Sequence, residues 1–155
     1  MEAYLGPEDE ASHAAFRPGS HALFYGAGGH AYVYLNYGLH HCLNAITNPA
    51  GRPGCVLIRA LEPLEGVTTM ARRRGVSVAA RRLASGPGNL TQALGLSLRD
   101  NGADLTRGPL MILPPGRPRD FTIARGPRVG ITRSRDLPLR FWISGHPSVS
   151  VGRRG

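Results

Sequence analysis

HAYVYLNYGLHHCLN, residues 30–44, decides how this chain folds. His30–Tyr37 alternates aromatic, β-branched and polar residues, the period and composition of a β-strand. Gly38 supplies a turn and His40–Thr47 reads as the antiparallel partner, so the stretch predicts a hairpin. Side chains two apart on a strand share a face. Tyr32 therefore lies beside Tyr34, and Cys42 beside Asn44.

Downstream, the turn cluster Asn48–Gly54 leads into Cys55–Glu62 (CVLIRALE), the strongest strand signal in the chain. There Arg59 lies opposite Ile58, and Pro63 ends the run. Leu64–Arg74 and Val76–Ala84 predict helices whose outer faces carry Arg72, Arg73, Arg74, Arg81 and Arg82. Another helix opens at Ser85-Gly86-Pro87 and runs through Leu94, with Ser85 as its cap and Pro87 in its first turn. A helix start on a basic surface suits a phosphate. Pro109–Leu113, Pro127–Thr132 and Leu139–Ser144 predict short strands. Upstream, residues 5–29 read as loop with one short helix. Strands that come in runs, without strict alternation with helices, indicate an α+β fold in a single domain.

Composition narrows the function. The chain has 155 residues, 41% of them hydrophobic, which is enough for one domain with a real core and excludes intrinsic disorder. Its 21 glycines and 13 prolines are aperiodic, which excludes collagen. No apolar run approaches the ~18 residues of a membrane span, and no basic-then-apolar leader opens the chain. Cys42 and Cys55 fit no zinc spacing and read as small buried residues in a reduced cytoplasm. His40-His41-Cys42 alternates across a strand and makes a poor metal site, so no metal or other cofactor is expected.

All 19 cations are arginine, for a net charge of +9. Residues 1–50 carry one arginine against four acids, whereas residues 51–155 carry 18 arginines against six acids. Such a basic stretch suits a polyanion, although a solvated charged face is the plainer reading. All five tyrosines and five of the six histidines precede residue 42. Flat rings with polar tips suit a nucleobase; they equally suit an aromatic core.

EAYLGPEDEASHA (2–14), HAYVYLNYGLHHCLN (30–44), CVLIRALEPLEG (55–66), SGPGNLTQALGL (85–96) and PLRFWISGHPSVS (138–150) occur together and in order. Together they resemble the alkyladenine (3-methyladenine) DNA glycosylase family across essentially the whole chain. The resemblance implies one domain with a curved, mainly antiparallel sheet and surrounding helices, the methyladenine glycosylase or formyltransferase C-terminal-like fold. It implies a metal-free enzyme, acting as a monomer at the bacterial nucleoid. That enzyme flips damaged purines (3-methyladenine, 7-methylguanine, hypoxanthine) out of double-stranded DNA and hydrolyses their N-glycosidic bond.

By the same resemblance Glu2 is the catalytic carboxylate, Arg59 helps to hold the attacking water, and the Val129 carbonyl lies near that water. Tyr4, His13 and Tyr34 sandwich the base, and Asn44 sits beside it against the guanine amine. Tyr37 wedges into the duplex, and Ser85, Gly86 and Asn89 meet a DNA phosphate. Taken alone, each residue has a plainer reading. Glu2 would be a solvated terminal residue, His13 a cap or core residue and Tyr37 a core tyrosine. Arg59 would be a partner of Glu62 or Glu65.

Three departures stand out. Phe16–Phe24 replaces an arginine-rich stretch, which weakens or moves a phosphate contact, and Asn89 stands where lysine is common. Family members also carry a few dozen residues ahead of the Glu-Ala-Tyr motif, whereas here Glu2 follows Met1. Either the true start lies upstream of Met1, or residues 1–155 are an N-terminally truncated glycosylase domain, with a frayed Glu2, an open sheet edge, weak or no activity and DNA binding partly retained. A catalytically impaired DNA-binding remnant, or an unrelated small basic RNA-binding domain, are the competing expectations.

Overall fold

The computed structural model describes residues 1–80, 82–114, 116 and 120–149. Six strands form one antiparallel sheet: β1 (Glu2–Tyr4), β2 (Ala31–Asn36), β3 (His40–Ile46), β4 (Cys55–Leu57), β5 (Ile123–Gly126) and β6 (Arg140–Ile143). Their order across the sheet is β2-β3-β4-β1-β6-β5. Two one-turn helices, α1 (His13–Phe16) and α2 (His21–Phe24), precede β2, where one was expected. Helices α3 (Val67–Arg74) and α4 (Pro87–Leu94) follow β4. A single compact α+β domain results. No helix among the described residues is long and apolar enough to cross a membrane.

The hairpin β2–β3 forms as read. Tyr32 pairs with Asn44 and Tyr34 with Cys42, which puts all four on one face. Register carries that face onward: Asn44 pairs with Leu57, and Leu57 with Glu2. The opposite face presents Ala31, Val33, Leu43 and Ala45 to Leu90 of α4 and to Leu105, the main apolar core. Helix α4 can lie this close because residue 88 is glycine: a Cβ there would stand 2.8 Å from the His40 ring. Buried Thr91 adds a hydrogen bond to the His41 carbonyl at 2.9 Å. Cys42 and Cys55 are both buried, as read.

The frayed start is overturned. Glu2 pairs with Leu57 on one side and Arg140 on the other, so β1 is an interior strand with no open edge. The Met1 amine donates to the Phe141 carbonyl at 2.8 Å, and Phe141 N–H donates back to Met1 O at 2.9 Å.

Other differences follow from hydrogen bonding. Strand β4, expected to run through Glu62, stops at Leu57, because the chain turns to pair with the segment before α4. Leu61 N–H bonds Ala84 O, and Gly86 N–H bonds Arg59 O. Helix α3 starts only at Val67, since Gly66 is left-handed at φ 68°. The described residues of Val76–Ala84 form turns and not a helix, begun when Gly75 ends α3 at φ 63° and Ser77 accepts from Ala79 N–H; Arg81 lies outside the described residues. Residues 109–113 form no strand; Ile112 N–H bonds back to Leu105 O. Residues 127–132 form none either, because Pro127 has no N–H and the Val129 N–H is given to the Glu2 carboxylate. The strand in that region is the unanticipated β5. β6 falls within the expected 139–144.

Substituting Gly88→Ala should overpack the α4–β3 contact. The cost of about 1–3 kcal/mol, less the ~1 kcal/mol that alanine returns in helix propensity, predicts a net loss near ~1 kcal/mol in urea unfolding.

Candidate active site

On the face they share with Glu2, Tyr32, Tyr34, Cys42, Asn44 and Leu57 line a cleft of about 740 Å³. Tyr4, His13, Tyr34, Tyr37, Asn44, Arg59 and Val129 all line it. These residues come from β1, α1, the hairpin, the exit of β4 and the loop after β5. The fold therefore gathers seven residues that span 126 positions of chain.

Glu2 lies just beneath that lining and is 0% exposed. Three donors hold its carboxylate. Val129 N–H bonds Oε1 at 2.8 Å; Arg59 Nη1 and the Tyr4 hydroxyl bond Oε2 at 3.0 and 3.1 Å. Arg59 thus pairs with Glu2 and not with Glu62 or Glu65, and its Nε finds no acceptor among the described residues. Val129 reaches Glu2 through its N–H, an atom other than the carbonyl singled out in the sequence. Burial, followed by the Glu2 charge and hydrogen bond, pushes the Tyr4 hydroxyl well above its ordinary pKa, so it stays protonated as a donor.

His13 and Tyr34 touch, with ring centroids 4.4 Å apart at 60°. Nothing fits between these two; they form one wall of the cleft. Tyr34 also stacks near Tyr32, and Arg17, from the departed stretch, sits 5.5 Å over the Tyr34 ring. His13 Nδ1 is 2.7 Å from the Tyr32 hydroxyl. Asn44 is 3% exposed, its amide donating to Tyr32 O at 3.1 Å.

Tyr37 is 80% exposed at the hairpin tip, which excludes a core role. It holds φ 50° beside Gly38 at φ 67°, the positive signs of a type I′ turn. A bulky side chain is rarely tolerated there. At the start of α4, Gly86 is the N-cap at φ 97°, a conformation that suits glycine. Ser85 is buried and makes no cap, and Asn89 donates to Ser85 O at 2.7 Å. Pro87 borders the cleft. Of the arginines placed on an outer helix face, Arg73 bonds the carbonyls of Ala93 and Leu94, and Arg74 bonds Leu83 O and Gln92. These two brace the end of α4.

Sequence reasoning missed Asp9 and Arg128. Arg128 Nη1 and Nη2 bond the two Asp9 oxygens at 2.6 and 2.8 Å, with both side chains fully buried. Burial works to raise the Asp9 pKa, but the Arg128 hydrogen bond and the Leu5 and Ala11 N–H groups outweigh it and hold the carboxyl below its usual range. Only charge sign hinted at the pair, since an acid in the acidic third needs a distant cation once buried.

The sequence model of the family described as Methylpurine-DNA glycosylase (MPG) matches residues 1–147. The chain belongs to that family. A protein of Corynebacterium efficiens, named "Putative 3-methyladenine DNA glycosylase", is 46% identical over the whole of this chain and 80% of its own length. Proteins of the same name from Chlorobium luteolum and Methanoculleus marisnigri are each 44% identical. They match 98% and 97% of this chain and 78% and 79% of their own lengths. Family membership makes this a DNA glycosylase, a hydrolase of base excision repair. It sets aside the unrelated RNA-binding reading.

Burial, reinforced by Arg17, lowers the His13 pKa from 6.5 to about 4. The unfolded chain takes up a proton near 6.5 that the folded chain refuses until about 4. The stability tied to His13 is therefore complete above pH ~6.5 and declines as pH falls toward ~4. Thermal melting at pH 7.5, 6 and 5 should show a smaller drop in Tm for His13→Gln than for the parent chain.

Proposed function

We propose that this glycosylase flips alkylated or deaminated purines out of duplex DNA into the cleft. There it hydrolyses their N-glycosidic bond with Glu2 as general base. The observation that carries the reading is the Glu2 carboxylate, held by Arg59, Tyr4 and Val129 at the base of an aromatic cleft. Glu2 takes a proton from water as the water oxygen attacks the sugar C1′. The C1′–N bond breaks, its electrons leave with the purine, and an abasic site remains. The carboxylate also opposes the positive charge that grows on the sugar. A cationic base such as 3-methyladenine departs neutral and needs no acid. One carboxyl therefore suffices for such a base, whereas a neutral purine such as hypoxanthine must also gain a proton as its C1′–N bond breaks.

Tyr4 on one side and the His13–Tyr34 pair on the other give the purine two walls. Stacking of about 1–3 kcal/mol per base matches the few kcal/mol lost when a damaged base leaves the duplex. Neutral His13, with Nδ1 engaged by Tyr32, presents its other edge to the base. Asn44 narrows the floor against the guanine amine. Tyr37 fills the gap left by the base, and the start of α4 at Ser85, Gly86 and Asn89 meets a phosphate. The substrates that fit are 3-methyladenine, 7-methylguanine and hypoxanthine.

Base release from a duplex holding 3-methyladenine or hypoxanthine tests this. Glu2→Gln should lower the single-turnover rate by about 10²–10⁴ while binding persists. An unchanged rate would refute the assignment and favour a DNA-binding protein without this chemistry.

Tyr37→Asn creates an Asn-Gly turn, the preferred residues for this conformation. Stability should rise by up to ~1 kcal/mol as left-handed strain is relieved. Affinity for a lesion duplex should fall at the same time, and titration by fluorescence anisotropy measures it.

A further inference from the structure

The Asp9–Arg128 pair has no part in the chemistry just described, and a buried ion pair is a weak device for stability alone, since apolar replacements often serve as well. Its connections point elsewhere. Besides the two Asp9 oxygens, Arg128 donates to Ala3 O at 3.0 Å and to Ser134 O at 3.4 Å. Its guanidinium lies 4.6 Å over the Tyr4 ring. Asp9 in turn accepts from Leu5 and Ala11 N–H. One planar group thus joins the backbone between Glu2 and Tyr4, the turn that follows β1, and the loop that carries Val129. The next residue in the chain is the N–H donor to Glu2 Oε1. Two of the three donors on the Glu2 carboxylate, Tyr4 and Val129, are therefore located through Arg128.

We propose that Asp9 and Arg128 form a positioning pair that sets the Glu2 carboxylate for attack by holding Tyr4 and the Val129 N–H against it. This rests on the reading of Glu2 as general base. The third donor, Arg59, comes from the exit of β4 and grips Oε2 alone; it does not locate Oε1. A fork is required at position 128, because lysine keeps the charge but cannot make parallel bonds to Asp9 and still reach Ala3 and Ser134.

The test compares Asp9→Asn and Arg128→Lys with the parent chain. Three quantities are read: the single-turnover rate of 3-methyladenine release, the Kd for a duplex with a stable abasic analogue, and the amide resonance of Val129 in ¹⁵N-labelled protein. The proposal expects the rate to fall about ten- to hundredfold, as misplacement on the order of 1 Å does, with Kd within about threefold. It also expects the Val129 amide proton to move upfield as its bond to the carboxylate loosens. Lysine at 128 should not rescue the rate.

A parent-like rate, or an unmoved Val129 resonance, overturns the proposal. So does a rate that falls in step with binding and folded fraction, which marks a merely structural pair. If Arg128→Lys loses its fold, Asp9→Asn decides, since it keeps the shape and one acceptor oxygen. Glu2→Gln measured alongside separates the two readings. Parent-like release in Glu2→Gln breaks the general-base reading. An inactive Glu2→Gln beside a fully active Asp9→Asn breaks only the positioning pair.

Discussion

A carboxylate with no solvent exposure organises this molecule. Removing such a group from water costs on the order of several kcal/mol unless donors replace the lost hydration. Glu2 meets that demand with a guanidinium, a phenol and a backbone N–H, drawn from three separated parts of the chain. The demand therefore links β1, the exit of β4 and the loop after β5. The interior place of β1 in the sheet follows the same logic: a strand paired on both sides cannot drift, so the carboxylate has a fixed address.

The sheet divides its labour between two faces. On one, Val33, Leu43 and Ala45 pack on Leu90 and Leu105, and close approach at Gly88 seats α4. On the other, tyrosine, histidine and asparagine line the cleft. Polar aromatic residues there sacrifice some apolar burial in return for a surface that can stack a flat ring. The strain at Tyr37 belongs to the same pattern: the hairpin tip keeps an exposed ring in a conformation that asparagine or glycine would adopt more easily.

Legibility in the sequence tracked the range of the interactions. The hairpin is local, and its alternation and turn glycine were enough to place Tyr32 beside Tyr34 and Cys42 beside Asn44, while the pairing register joined the two pairs on one face. The start of α4 at Pro87 was equally local. Cys55–Glu62 read as one long strand because periodicity cannot see that Leu61 and Gly86 find better partners across the chain. Val76–Ala84 read as helix because composition weighs alanine and arginine without the turn that Ser77 imposes. The 127–132 segment read as strand for its valine and isoleucine, yet Pro127 has no N–H and the Val129 N–H is committed to Glu2.

By itself the sequence determined the α+β class, the hairpin and the charge asymmetry. Through its ordered motifs it also determined the resemblance to a purine glycosylase family. Periodicity and local turn chemistry act over a few residues, so they survive in one dimension. Only the tertiary structure decided that Glu2 is an interior, fully buried residue rather than a frayed end. It alone decided that Arg59 and the Val129 N–H converge on Glu2, and that Asp9 and Arg128 lock together behind it. Those contacts join residues 57 to 127 positions apart. What selects them is the need to satisfy buried charge, a need that arises only once the chain has excluded water.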